Sequence, residues 1–182
     1  MSSLPRPPPA EYPRPQMTRP AATYANWNGL WEFQLGNGWG EAPPFGQTLN
    51  QTILVPFPLE SCLSGAFRWP AYSHWLWYRL IFDAPFASGS TLLHFGAIDW
   101  NATVFLNGAS LGNHIGGYDG FSLDMTSALK PTGNELIVWV YDPSDSGHQV
   151  EGKQRESAIH SPGGDTYTPS SGIWQTVCAA RG

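Results

Sequence analysis

Two aspartates open the segment of this chain most suited to chemistry. Asp142-Pro-Ser-Asp145 follows the apolar run Glu135-Leu-Ile-Val-Trp-Val-Tyr141 and begins a polar loop that reaches Tyr167. A loop anchored by a rigid strand is where binding groups concentrate. Carboxylates in such a loop accept protons from paired hydroxyls, and their charge strengthens each bond. The competing reading is local: Asp142 and Asp145 make Asx turns around Pro143 and nothing more. Gly152-Lys-Gln154 lies in the same loop, where Lys153 and Gln154 either bond a hydroxyl or a neighbouring loop, or face solvent. Trp100, beside Asp99, offers an indole face on which a sugar ring can stack. Core packing is the alternative for any of the nine tryptophans. Trp31, Trp77, Trp139 and Trp174 sit in apolar runs and are core candidates; Trp39, Trp69 and Trp100 are the candidates for exposure. His148 and His160 flank the loop without a second ligand at metal-binding spacing, so no metal site and no cofactor are expected.

The elements that must position these groups read as strands. In Leu30-Trp-Glu-Phe-Gln-Leu35, Trp31, Phe33 and Leu35 fall on one face and Glu32 and Gln34 on the other, the period of a half-buried strand. Thr52–Val55 is a short strand stopped by Pro56 and Pro58. Trp75-Leu-Trp-Tyr-Arg-Leu-Ile-Phe82 is apolar at nearly every position and predicts a central strand buried on both faces. Leu92–Phe95, Ala102–Leu106, Phe121–Met125, Glu135–Tyr141 and Ile173–Cys178 complete the set. Asn107-Gly108 is the strongest short hairpin signal a sequence carries. Gly116-Gly-Tyr-Asp-Gly120 is a further glycine turn, delivering Tyr118, Asp119 and Phe121. One helical turn is expected between Thr126 and Leu129, and no other segment has a sustained helical period. About eight strands with uneven loops predict an all-β fold, an antiparallel β-sandwich.

Composition narrows the function classes. The chain has 182 residues and a net charge of −5, with 9 Lys and Arg scattered rather than clustered, so nucleic-acid binding is disfavoured. No apolar run reaches the roughly 20 residues of a membrane span. The start of the chain carries no apolar leader, so a cytoplasmic protein is expected. Cys62 and Cys178 make no disulfide framework and are expected to be two buried thiols. Prolines punctuate residues 1–22, which read as an extended arm; residues 23–178 form the folded domain and 179–182 a tail.

Taken together, Asp99-Trp100 running into Asn107-Gly108, then Gly116–Asp124, then Ser171-Gly-Ile-Trp-Gln-Thr-Val177, resemble the N-terminal sugar-binding domain of family 2 glycoside hydrolases, the group of β-galactosidases, β-glucuronidases and β-mannosidases. The resemblance covers roughly Pro13 to Val177 and implies a jelly-roll sandwich of the galactose-binding type. It also implies that Asp145 matches an aspartate that helps form the pocket for the terminal sugar, beside a catalytic barrel in the same polypeptide. Catalysis is not expected of this chain. A retaining glycosidase needs two carboxyls about 5–5.5 Å apart. The 14 acidic residues here are spread singly, and none matches the barrel motifs that hold the family's catalytic glutamates. Three readings follow: a sugar-binding domain of a longer glycosidase, a free carbohydrate-binding module using Trp100 and loop aromatics, or an interaction domain without sugar chemistry.

Overall fold

A computed structural model describes residues 20–66 and 74–182 of the chain. Most of the expected arm, and Trp69, lie outside the described residues. Among those described, twelve strands are joined almost entirely by loops: β1 (Tyr24–Asn26), β2 (Gly29–Leu35), β3 (Gln51–Val55), β4 (Trp75–Phe82), β5 (Thr91–Phe95), β6 (Ile98–Asp99), β7 (Asn101–Leu106), β8 (Ala109–Ile115), β9 (Phe121–Asp124), β10 (Asn134–Tyr141), β11 (Gly172–Ile173) and β12 (Val177–Arg181). One four-residue helix, Ser157–His160, and 3₁₀ turns at Cys62–Ser64 and Thr126–Ala128 are added to them. The Thr126 turn lies where the sequence placed one.

Two antiparallel sheets form a jelly-roll sandwich. The larger has the order β3-β2-β4-β10-β7-β8, the smaller β1-β12-β5-β9, and β6 pairs with β11 in a short ladder of its own. The core lies between them because alternation puts one face of each strand inside. Trp31 and Phe33 from β2, Val138 and Val140 from β10, and Leu93 and Phe95 from β5 are all at most 1 % exposed. Burying side chains of this size contributes roughly 1.5–3 kcal/mol each.

Asn107 and Gly108 take φ values of 52° and 91°, the two left-handed positions of a tight hairpin turn, and β8 returns along β7. β8 shows no apolar alternation, because it is an edge strand whose Ala109, Ser110, Asn113 and Ile115 face solvent.

Four expectations need correction. β4 is central, between β2 and β10, but only Leu76, Trp77 and Tyr78 are buried, and Ile81 is 49 % exposed. The loop of residues 36–50 packs Phe45 and Leu49 into the cluster around Trp77, and Ile81 is not part of that cluster. The strand buried on both faces is β10. The expected strand Ile173–Cys178 is two strands: β11 pairs with β6, and β12 begins at Val177. The supposed tail at 179–182 is mostly β12 itself, since Ala179 and Ala180 are buried between β1 and β5. Small alanines hid that burial in the sequence. Finally, Cys62 is exposed on its 3₁₀ turn and only Cys178 is partly covered; neither is joined in a disulfide.

Candidate functional site

The register of the larger sheet brings four strand ends into line. Trp75 lies opposite Tyr141, Tyr141 opposite Asn101, and Asn101 opposite Ile115. His74, Asp142, Asp99-Trp100 and the Gly116–Gly120 turn therefore all emerge at one end of the sandwich. The β6–β11 ladder adds a fifth segment there, setting Gly172 opposite Asp99. A sixth arrives from far along the chain: Leu59 N–H donates to the Ser171 carbonyl at 3.3 Å, and Ser171 N–H donates to Glu60 Oε2 at 2.9 Å.

Three carboxyls are thus buried together: Glu60 at 5 % exposure, and Asp99 and Asp142 at 2 % each. Burial pushes Glu60 up to about 7, with the Ser171 hydroxyl and backbone N–H pulling the other way and the Asp142 charge adding to the rise. Burial and the nearby Asp142 push Asp99 up to about 7, against the bond from Gln154. Asp142 is raised too, chiefly by burial. Water is a far better solvent for a carboxylate than this interior, so these groups take up protons readily. Glu60 Oε1 and Asp99 Oδ1 have no hydrogen-bond partner among the described residues. Among the described residues, no group of three or more His, Cys, Asp or Glu is arranged to hold a metal ion.

Gln154 organises the surface of this end. Its Nε2 donates to Asp99 Oδ2 at 2.9 Å and to the Tyr118 hydroxyl at 3.2 Å, while Oε1 accepts from Ser170 N–H at 2.6 Å. Tyr118 packs edge-on against Trp174 at 6.4 Å between centroids, and Trp174 Nε1 donates to the Gly117 carbonyl at 2.8 Å. Gly117 has to be glycine, because a Cβ there would overlap Asp99 Oδ1.

The two aspartates that drew attention in the sequence have different surroundings. Asp142 Oδ1 accepts from Ser144 N–H at 2.8 Å, which is the Asx turn of the local reading, and its side chain is not presented to solvent. Asp145 is half-buried, and Oδ1 accepts from Glu156 N–H at 3.3 Å. His74 fixes the base of the same loop, with Nδ1 3.1 Å from the Asp142 carbonyl and 3.8 Å from Glu156 Oε1. Lys153 is exposed, with Nζ 5.9 Å above the Tyr167 ring. Trp100 is half-buried rather than fully exposed, and its buried Nε1 has no partner among the described residues.

The family model for the glycosyl hydrolase 2 galactose-binding domain-like fold matches residues 47–174, well over half of the chain. The chain belongs to this family. A putative β-glucuronidase of Formosa agariphila is 41 % identical over 54 residues, covering 28 % of this chain and 7 % of that protein. A β-galactosidase of Bacteroides ovatus is 31 % identical over 117 residues, covering 58 % of this chain and 14 % of that protein. This chain thus corresponds to only a small part of the relatives it matches. Among solved structures, a β-glucuronidase of Faecalibacterium prausnitzii superposes with a TM-score of 0.63 at 23 % identity, covering 87 % of this chain and 31 % of that one. At that identity the likeness speaks for the fold alone.

In this galactose-binding-like domain, sequence reasoning reached Asp142, Asp145, Trp100, Lys153 and Gln154 as site candidates, and Asp99 only as the neighbour of Trp100; all lie at or near the same end. It missed Glu60, Ser171 and His74. Of these only Glu60 carried a signal, a charged residue directly after an apolar Leu59 within a proline-rich turn.

Proposed function

We propose that this domain is the non-catalytic sugar-binding part of a family 2 glycoside hydrolase, bracing a catalytic barrel in the same polypeptide and lending the loop from Asp142 to Tyr167, with Asp145 at its turn, to the sugar pocket of that barrel. The carrying observation is how the loop is held. Its base is fixed to buried groups through Asp142, His74 and Gln154, while Asp145 sits partly open on the rigid platform they make. A carboxylate so held accepts sugar hydroxyl protons without first being ordered, which is the economical arrangement for binding. The relatives that share the domain carry glycosidase names and are several times longer, in keeping with a domain that works beside catalytic machinery.

The test is Asp145→Ala in the longer enzyme. Loss of one charge-assisted bond to a hydroxyl should cost about 1.5–3 kcal/mol, or roughly ten- to a hundredfold in kcat/KM. The melting temperature should stay within a degree or two of the parent, as only one backbone N–H loses its acceptor. A destabilised but fully active variant would show that Asp145 only ties a turn.

A further inference from the structure

The outer face of the larger sheet carries a second feature that the loop site does not use. Trp39 lies in Gly36-Asn-Gly-Trp-Gly40 and is 62 % exposed, the largest side chain left so open among the described residues. It rests on Trp139 and Tyr141, with ring centroids 5.0 and 4.9 Å away, and Tyr141 in turn packs on Trp75 at 5.2 Å. The loop is shaped to lay the ring there. Gly38 and Gly40 have φ values of 151° and 81°, and a Cβ on Gly36 would press on Glu41 and Trp75. Glu41 stands at the edge of the rings: it accepts from Trp77 Nε1 at 3.0 Å and from Asn37 N and Nδ2 at 2.8 and 2.9 Å.

We infer that the Trp39 face, backed by Tyr141 and Trp75 and edged by Asn37 and Glu41, is a stacking site for a neutral pyranose ring, separate from the Asp145 loop. One face of a pyranose is a patch of C–H groups, and these settle on the electron-rich face of an indole. The equatorial hydroxyls then point outward to the ring's rim, where a carboxylate accepts their protons in charge-assisted bonds. Burial alone pushes the Glu41 carboxyl upward, but the bonds from Trp77 and Asn37 outweigh it and hold the group below the ordinary value, so it is ionised at neutral pH. That same charge repels a uronate, which makes the site selective for uncharged sugars. A protein partner fits less well. Of the large exposed apolar residues among those described, only Trp39 joins this cluster, whereas a stable protein interface buries about 800 Å² on each side.

The experiment titrates the 182-residue chain with cellohexaose, xylohexaose and trigalacturonate, following tryptophan indole N–H signals by NMR and heats by calorimetry. At least one of the two neutral oligosaccharides should bind and shift the Trp39 indole signal, while trigalacturonate should not. Trp39→Ala should weaken binding by about tenfold or more, Trp39→Phe should keep most of it, and Asp145→Ala should leave it unchanged. Should Trp39→Ala fail to fold, the indole shift in the parent and the Trp39→Phe affinity decide. The inference is overturned if neither neutral sugar binds, if trigalacturonate binds as well as they do, or if Trp39→Ala binds like the parent. It also fails if the chain self-associates through this face and Trp39→Ala disperses it. Loss of binding in Asp145→Ala alone would overturn it while leaving the loop reading intact.

Discussion

Three buried carboxyls make this domain's stability depend on pH in the direction opposite to that of most folded proteins. Glu60 moves from an ordinary 4.5 to about 7 in the fold, and Asp99 from 3.8 to about 7. A raised carboxyl binds its proton more tightly in the folded state than in the unfolded one. Its contribution is therefore complete below the unfolded value, near pH 4, and is lost as pH climbs through the folded value near 7. At 1.36 kcal/mol for each tenfold change in proton affinity, Glu60 alone corresponds to roughly 3 kcal/mol. Asp99 lies against the Asp142 charge, so the two lose their protons in separate steps, and their loss adds to the roughly 3 kcal/mol of Glu60. Against a typical total of about 5–15 kcal/mol, that is a large fraction.

The assay is urea unfolding at about pH 5 and about pH 8 at constant ionic strength, with the midpoint and slope fitted at each. The midpoint should be higher at the lower pH. Glu60→Gln keeps the shape and removes the charge. Its amide oxygen can still accept from Ser171 N–H, so the variant should lose part of the pH dependence and equal or exceed the parent near pH 8. A midpoint that rises with pH, or a Glu60→Gln variant that keeps the full pH dependence, would refute the reasoning.

Other substitutions probe the same end. Gln154→Leu strands the Asp99 carboxyl and the Ser170 N–H and should cost about 2–4 kcal/mol, read from the urea midpoint. Removing that donor should also push Asp99 further up, so the stability lost with rising pH should extend to higher pH. Gly117→Ala forces a methyl into Asp99 Oδ1; because that carboxyl is buried and held by Gln154, the change should destabilise by about 1–3 kcal/mol, seen as a lower melting temperature. The purified chain should show no turnover of nitrophenyl β-galactoside, β-glucuronide or β-mannoside, and turnover that vanishes on mutating one of its own carboxyls would overturn the non-catalytic assignment.

Much of the fold could be read from the sequence because alternation and turn chemistry are local. Trp31, Phe33 and Leu35 announced β2, and Asn107-Gly108 announced the β7–β8 turn. What stayed hidden was set by neighbours rather than by the residue itself. Whether Ile81 is buried depends on how far the loop of residues 36–50 reaches, and β8 has no apolar face to show because its place is at the edge. β12 is buried through alanines, which look neutral on paper. The site followed the same rule. Gln154 was suspected because it lies in the polar loop anchored by β10, where it could bond a hydroxyl or a neighbouring loop, but Glu60 acquires its meaning from Ser171, 111 positions away, and no local pattern carries such a separation.

Asp142 and Asp145 show how three positions decide a carboxylate's work. Tyr141 is the last residue of β10 in register with β4, yet Asp142 N–H still donates to the His74 carbonyl at 2.9 Å. That bond extends the ladder by one residue and draws the Asp142 side chain inward, where only the Ser144 N–H and nearby hydroxyls can meet it. The chain then leaves the sheet. Ser144 takes a φ of 51°, and Ser146 N–H closes the turn on the Pro143 carbonyl at 2.9 Å, so Asp145 comes out at the rim. Identical side chains are thus divided between fixing the loop from inside and standing half-buried at its rim. The division lies in the one extra backbone bond beyond the strand, and shortening the ladder there should expose Asp142 before it disturbs the core.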